Sequence, residues 1–156
     1  MKNCVLILDN IRSVENAGSI FRTAEGMGVS KIYLIGTTPA PLDRFGRKRT
    51  DFSKVALGAE DLVIWEYQEK ISPVIKEFKE QGFKVIAIEQ SNNSLDLKNY
   101  KSPDQFALIL GNEVDGIAED ILKECDDVLE IKMMGKKESL NVSVATGIAI
   151  FELLNK

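Results

Sequence analysis

The sequence predicts an α/β fold: a mostly parallel sheet with helices on both faces. Two observations carry this. Continuous apolar runs of strand length alternate with stretches whose apolar residues recur at helical spacing. The connections between them are short, which suits strand–helix–strand units that return parallel and cross over right-handed. At 156 residues the chain is read as a single domain, 1–156, with enough length to bury a substantial core.

The elements follow in order. Residues 4–9, Cys4-Val-Leu-Ile-Leu-Asp9, form an uninterrupted apolar strand. A helix is predicted over 17–27, with Ile20, Ala24 and Met27 on one stripe and Ala17 and Phe21 beside it; Gly28 stops it. Residues 31–36 make the second strand. The stretch 37–50 is irregular, with Pro39, Pro41 and Gly46, and a short helix is predicted over 53–60. Residues 62–67, rich in β-branched and aromatic side chains, read as a strand. A helix over 71–81 takes Pro73 in its first turn, shows Val74, Ile75 and Phe78 on one face, and ends at Gly82. Strands follow at 84–89, 106–111 and 127–132, with a polar loop at 90–94 and a short helix at 118–124. The chain closes in an almost wholly apolar helix beginning near Asn141. Its apolar residues point in nearly all directions, so it should be buried on more than one side.

Composition narrows the chemistry. An apolar fraction of 44% and a charged fraction of 28% are ordinary for a globular protein. No apolar run reaches membrane-spanning length, and the first residues lead straight into a strand, so a cytoplasmic protein is expected. The two cysteines, Cys4 and Cys125, lie far apart and read as reduced thiols. The absence of histidine removes Ser-His and Cys-His nucleophilic pairs and imidazole acid–base chemistry, and no metal site is expected. The net charge of −4 argues mildly against a general nucleic-acid binder. Charge is uneven, however: Arg44, Arg47, Lys48 and Arg49 cluster in the irregular stretch. Such a loop is either a solvated surface or a phosphate contact.

In open parallel sheets ligands sit outside the carboxyl ends of the strands, here Asp9, Gly36, Glu89, Gly111 and Lys132. Three stretches lie at such ends. The first runs from Asn10 through Arg12, Asn16 and Gly18 to Arg22 and Ala24. Gly18 shares a helical face with Arg22, and a glycine there costs about 1 kcal/mol against alanine, so a close approach by a ligand or another backbone is expected. Arg22 also suits a surface pair with Glu25. The second stretch is Gly111-Asn-Glu-Val-Asp-Gly116. It reads either as a tight turn or as a site in which Gly111 admits a ligand and Glu113 orients a cation such as Arg22. The third leaves the last strand through a polar loop and places Ser139 and Asn141 at the mouth of the final helix, both favourable N-caps. No G-x-G-x-x-G follows the first strand and no P-loop motif is present.

Together the three stretches resemble the signature motifs of the SpoU/TrmH family of RNA ribose 2′-O-methyltransferases, in the SPOUT superfamily. The residues that carry the resemblance are Asn16 and Arg22 in the first, Gly111, Asn112, Glu113 and Gly116 in the second, and Ser139, Leu140, Asn141, Ser143 and Ala145 in the third. The resemblance implies a C-terminal trefoil knot, which pattern and composition do not suggest. It implies S-adenosylmethionine bound at Ile88, Gly111, Ile131, Ser139 and Leu140, and a catalytic set of Arg22, Asn16, Glu113, Ser139 and Asn141. It implies a homodimer with the active site at its interface. The substrate would be RNA, tRNA ahead of ribosomal RNA, contacted through Arg44, Arg47, Lys48 and Arg49. A catalytically weak RNA-binding protein of the same fold and a small-molecule methyltransferase are the competing readings. The first would not need the catalytic set, and the second would leave the basic loop unexplained.

Overall fold

A computed structural model describes residues 1–156. Seven strands form one sheet, every pairing parallel. In chain order they are β1 (Asn3–Asp9), β2 (Lys31–Ile35), β3 (Trp65–Gln68), β4 (Lys84–Ile88), β5 (Leu95–Asp96), β6 (Gln105–Leu110) and β7 (Asp127–Glu130). Their spatial order is β3-β2-β1-β6-β4-β7-β5. The helices are α1 (Val14–Gly26), α2 (Thr50–Ala56), α3 (Ile71–Glu80), α4 (Glu119–Glu124) and α5 (Val142–Leu154).

Side chains alternate faces along each strand, and the sheet sorts its core accordingly. Leu6 and Leu8 of β1 join Phe106, Leu108 and Leu110 of β6 under α1, α2 and α5. Val5 and Ile7, with Ala107 and Ile109, face α3 and α4 on the other side. Both faces are therefore covered, which is why the central strands read as unbroken apolar runs rather than alternating ones.

Several boundaries differ from the sequence reading, each for a local reason. α1 starts at Val14, three residues early, because Ser13 caps it and accepts from the Asn16 N–H at 3.1 Å. The predicted strand 62–67 begins only at Trp65. Its first residues are taken by a 3-10 turn, in which the N–H groups of Leu62 and Val63 both donate to Ala59 O at 3.0 Å. The predicted helix 53–60 is displaced to Thr50–Ala56 and ends where Leu57 turns left-handed at φ 53. β5 and the 3-10 turn Leu97–Asn99 had no sequence signal, since a two-residue strand is too short to show a period.

Candidate active site

A cavity of about 950 Å³ opens outside the carboxyl ends of β4, β6 and β7. All three sequence stretches contribute to its wall: Asn16 from α1, the whole turn 111–116 after β6, and Ser139, Leu140 and Asn141 at the mouth of α5. Ile88 and Ile131 line it as well.

The turn after β6 is built by Asn112. Its Oδ1 accepts from the N–H groups of Val114 (2.8 Å) and Asp115 (3.0 Å), and its Nδ2 donates to Asn10 O at 2.8 Å. Gly116 closes the turn at φ 66, donating its N–H to Asn112 O at 2.9 Å. The turn folds back so tightly that a Cβ on Gly111 would lie 2.7 Å from Gly116 C and 2.8 Å from Ile117 N. The sequence reading attributed Gly111 to ligand access; in the structure its own turn already requires a glycine. Glu89, one residue beyond β4, steadies the far side by accepting from the Ile117 N–H at 3.0 Å.

Within one chain Glu113 makes no contact with Arg22. Its carboxylate accepts from the N–H groups of Arg12 (3.0 Å) and Ser13 (3.2 Å) and from Asn16 Nδ2 (2.9 Å), at the N-terminus of α1. Negative charge is favoured there by the free N–H groups and the helix dipole. Burial works against the Glu113 charge, but the donors from Asn16, Arg12 and Ser13 outweigh it and hold the carboxyl below the usual glutamate range. Asn16 passes the connection on: its Oδ1 accepts from Asn141 Nδ2 at 3.0 Å. Asn141 in turn caps α5, its Oδ1 accepting from Ser143 N at 2.9 Å. One chain of hydrogen bonds thus ties the β6 turn, α1 and α5 together at the cavity wall. Ser139, which the sequence offered as a second cap, lies in the loop before α5 and makes no capping bond.

Arg22 stands apart. It is exposed on α1, outside the cavity lining, and forms neither the surface pair with Glu25 nor any other ion pair or side-chain hydrogen bond within the chain. Gly18, on the same helix, is explained by packing: a Cβ there would lie 2.8 Å from Val55 Cβ of α2.

The cavity lining contains four carboxylates, Glu89, Glu113, Asp115 and Glu119, and no lysine or arginine. Its apolar wall comes from residues such as Ile88, Leu110, Ile131 and Leu140. Such a site favours a ligand that is cationic at one point and apolar elsewhere. Gln90 ties the loop before α5 to the end of β4: its Nε2 donates to Glu138 O at 2.6 Å. Glu89 and Gln90 were visible in the sequence only as a polar strand end; their partners lie tens of residues away and left no local mark.

The basic loop lies between β2 and α2, and most of its charge is already matched. Arg47 pairs with Asp43 at 3.0 Å, Lys48 with Asp61 at 2.6 Å and Arg49 with Asp51 at 2.8 Å. Arg44 has no carboxylate partner and lies over the Phe45 ring, 4.8 Å from its centroid. Asp43, the hub of this loop, went unnoticed in the sequence, although an Asp three residues before a Gly is a turn signal. No helix is long and apolar enough to cross a membrane.

Comparisons with known proteins agree on one group. The sequence profile described as the SpoU rRNA Methylase family matches residues 3–151. A 23S rRNA (guanosine-2′-O-)-methyltransferase of Neisseria meningitidis is 36% identical over 148 residues, covering 95% of this chain and 56% of that protein. A tRNA (guanosine(18)-2′-O)-methyltransferase of Aquifex aeolicus is 31% identical over 154 residues, covering 97% of this chain and 68% of that protein. The crystal structure of an A. aeolicus TrmH/SpoU tRNA modifying enzyme superposes with a TM-score of 0.84 at 28% identity, over 99% of this chain and 75% of that one. The chain thus spans just over half of the first of these relatives and about two thirds of the second.

Proposed function

The chain belongs to the SpoU rRNA methylase family, and from that premise we propose that it transfers a methyl group from S-adenosylmethionine to a ribose 2′-hydroxyl of RNA. The observation that carries the reading is the single cavity that all three motif stretches share. Its volume of about 950 Å³ falls within the range of small-molecule sites. Its carboxylates and its lack of cations suit a positively charged sulfonium, so the residues present fit the group. Ile88, Gly111, Ile131, Ser139 and Leu140 hold the cofactor in this reading. When bound, the cofactor would supply an electrophilic methyl group on a cationic sulfur, positioned for the ribose 2′-oxygen.

The protein's share is positioning, charge and the hydroxyl proton. An acidic cavity repels an RNA backbone, so a cation has to come from outside it. Arg22 is the candidate, and a second copy of the chain brings it in. The supporting feature is α5, whose Val144, Ile148 and Phe151 are 50%, 37% and 58% exposed along one face. Arg22 borders that face, since its neighbour Thr23 lies against Gly147 of α5. In the homodimer Arg22 steers the ribose and its phosphate and stabilises charge developing on the 2′-oxygen. Its pKa, above about 12, makes it a poor base, so the proton leaves through phosphate or water. Asn16, Glu113, Ser139 and Asn141 hold the geometry. The basic loop Arg44 to Arg49 meets the RNA, with Arg44 the cation free to do so. The domain is the whole of 1–156, the reaction is cytoplasmic, and the segment 131–141, clasped by Gln90, passes through a trefoil knot. Refolding from denaturant that is slow and unaffected by prolyl isomerase is expected of a knot; fast refolding counts against it.

Transfer of labelled methyl to separate tRNA and ribosomal RNA pools, read by nucleoside mass spectrometry, tests the proposal. A 2′-O-methylated nucleoside is expected in one of the two pools, tRNA being the first choice and ribosomal RNA the alternative. Arg22→Ala should abolish it. Arg22→Lys should remain impaired, since it keeps the charge and loses the planar fork. Full activity in Arg22→Lys would sink the role given to the guanidinium. No transfer to either pool, together with no cofactor binding, would remove the methyltransferase reading.

A further inference from the structure

Phe45 stands at the tip of the β2–α2 loop, 66% exposed. The loop does not need the ring to hold its shape. It is narrowed by the antiparallel bridge between Leu42 and Lys48. The Asp43 carboxylate accepts from the N–H groups of Phe45 (2.8 Å) and Arg47 (2.9 Å) and from Arg47 Nε (3.0 Å). Asp43 donates its own N–H to Arg47 O at 2.8 Å, and Gly46 turns the tip at φ 76. Every one of these bonds uses backbone or a charged side chain. Burying an aromatic side chain stabilises a fold, and that gain is forgone here.

Two guanidiniums flank the ring, with Arg44 Cζ at 4.8 Å and Arg47 Cζ at 5.0 Å from its centroid. Exposed pairs of this kind are weak and return less than the burial forgone. The cations also define what can cover the ring. An apolar protein surface would have to strip water from both guanidiniums. A nucleobase offers a flat π-face and brings phosphates to meet them. Within a duplex those faces are already stacked, so only an unpaired nucleotide presents a free one.

We propose that Phe45 is a stacking platform for an unpaired base of the RNA substrate, with Arg44 taking the adjoining phosphate. Arg47 stays on Asp43 and keeps the tip in shape. The proposal rests on the RNA-methyltransferase reading and adds to it a preference for single-stranded RNA at this loop.

The test uses a single-stranded RNA decamer carrying 2-aminopurine, and the same strand annealed to its complement. Wild-type protein should quench the probe and bind the single strand. Phe45→Ala should weaken that binding about 5- to 100-fold, as loss of one stacked base predicts, and relieve the quenching. Phe45→Leu should behave like Phe45→Ala, because it keeps apolar bulk without a π-face, and Phe45→Trp should restore binding. Arg44→Ala should lower the slope of log affinity against log salt by about 1. Unchanged single-strand affinity in Phe45→Ala overturns the proposal, as does an equal loss on the duplex. A changed oligomeric state in Phe45→Ala would place the ring between protein copies and also overturn it. Methyl transfer by wild type with an unaltered KM in Phe45→Ala defeats the platform alone. Failure of wild type to bind either RNA and to methylate any defeats the underlying reading as well.

Discussion

Asn16 can face only one way. A carboxylate accepts and never donates, so the Asn16 amide nitrogen must point at Glu113, which leaves its oxygen for Asn141. Asn16→Asp keeps the shape and sets two carboxylates against each other. It should cost about 2–3 kcal/mol of stability at neutral pH. Each carboxyl would then have a raised pKa in the folded state, so the loss should shrink as the pH falls and the pair shares a proton. In the wild type the sign is opposite: the Glu113 pKa is lowered on folding, so its contribution is present above about pH 4.3 and lost as the pH drops through the folded value. Urea denaturation at pH 7 and at pH 4 checks both. A penalty for Asn16→Asp that does not change with pH would mean that the two carboxylates are not in contact.

At the scale of elements, the helices decide how tightly the site is held and what it meets. α1 and α2 approach so closely at Gly18 that alanine, normally the better helix former by about 1 kcal/mol, has no room. Gly18→Ala should therefore destabilise, by about 1–3 kcal/mol, because the clash is with Val55 Cβ and the α2 backbone rather than a side-chain tip. A rise in melting temperature would refute that account. α5 carries the opposite lesson. Its inner face, Thr146, Ala149, Ile150 and Leu153, is buried, while Val144, Ile148 and Phe151 face outward. The sequence shows a helix apolar all round, which demands cover on two sides, and one chain covers only one. If the proposed homodimer forms through this face, Phe151→Glu should give monomers in sedimentation and reduce the proposed methyl transfer, with folding intact, since the residue is exposed in the single chain. A dimer that survives Phe151→Glu would move the interface elsewhere.

For the whole molecule, the lack of histidine sets the response to pH. Burial, the largest influence on each cysteine, pushes both Cys4 and Cys125 up to about 12, so neither thiol titrates near neutrality. The pH–rate profile of methyl transfer should therefore show no side-chain inflection between about pH 6 and 8. A bell centred in that interval would require a group that this chain does not supply. Much of this architecture was legible beforehand. Buried parallel strands announce themselves as apolar runs, and β1, β2, β4 and β6 lie within a residue or two of where the sequence put them. The motif stretches converge because each follows a strand or opens a helix at the same edge of the sheet. The bonds among them were not legible. Glu113 to Asn16, Asn16 to Asn141 and Gln90 to Glu138 join residues 48 to 125 positions apart, and no local pattern records such partners. In the basic loop only the pairing of Lys48 with Asp61 is hidden in this way; Asp43 and Asp51 lie within four residues of Arg47 and Arg49 and were open to a local reading.

The order of strands in the sheet has a consequence for synthesis. β1 leaves the ribosome before the other six strands, yet one of its two neighbours is β6, so that Asn3 waits for Gln105. The pocket waits longer still, because its wall begins at Asn16 and is finished only by Ala145. A nascent chain therefore has no complete cavity until residues as far as Ala145 have emerged and folded back on the sheet.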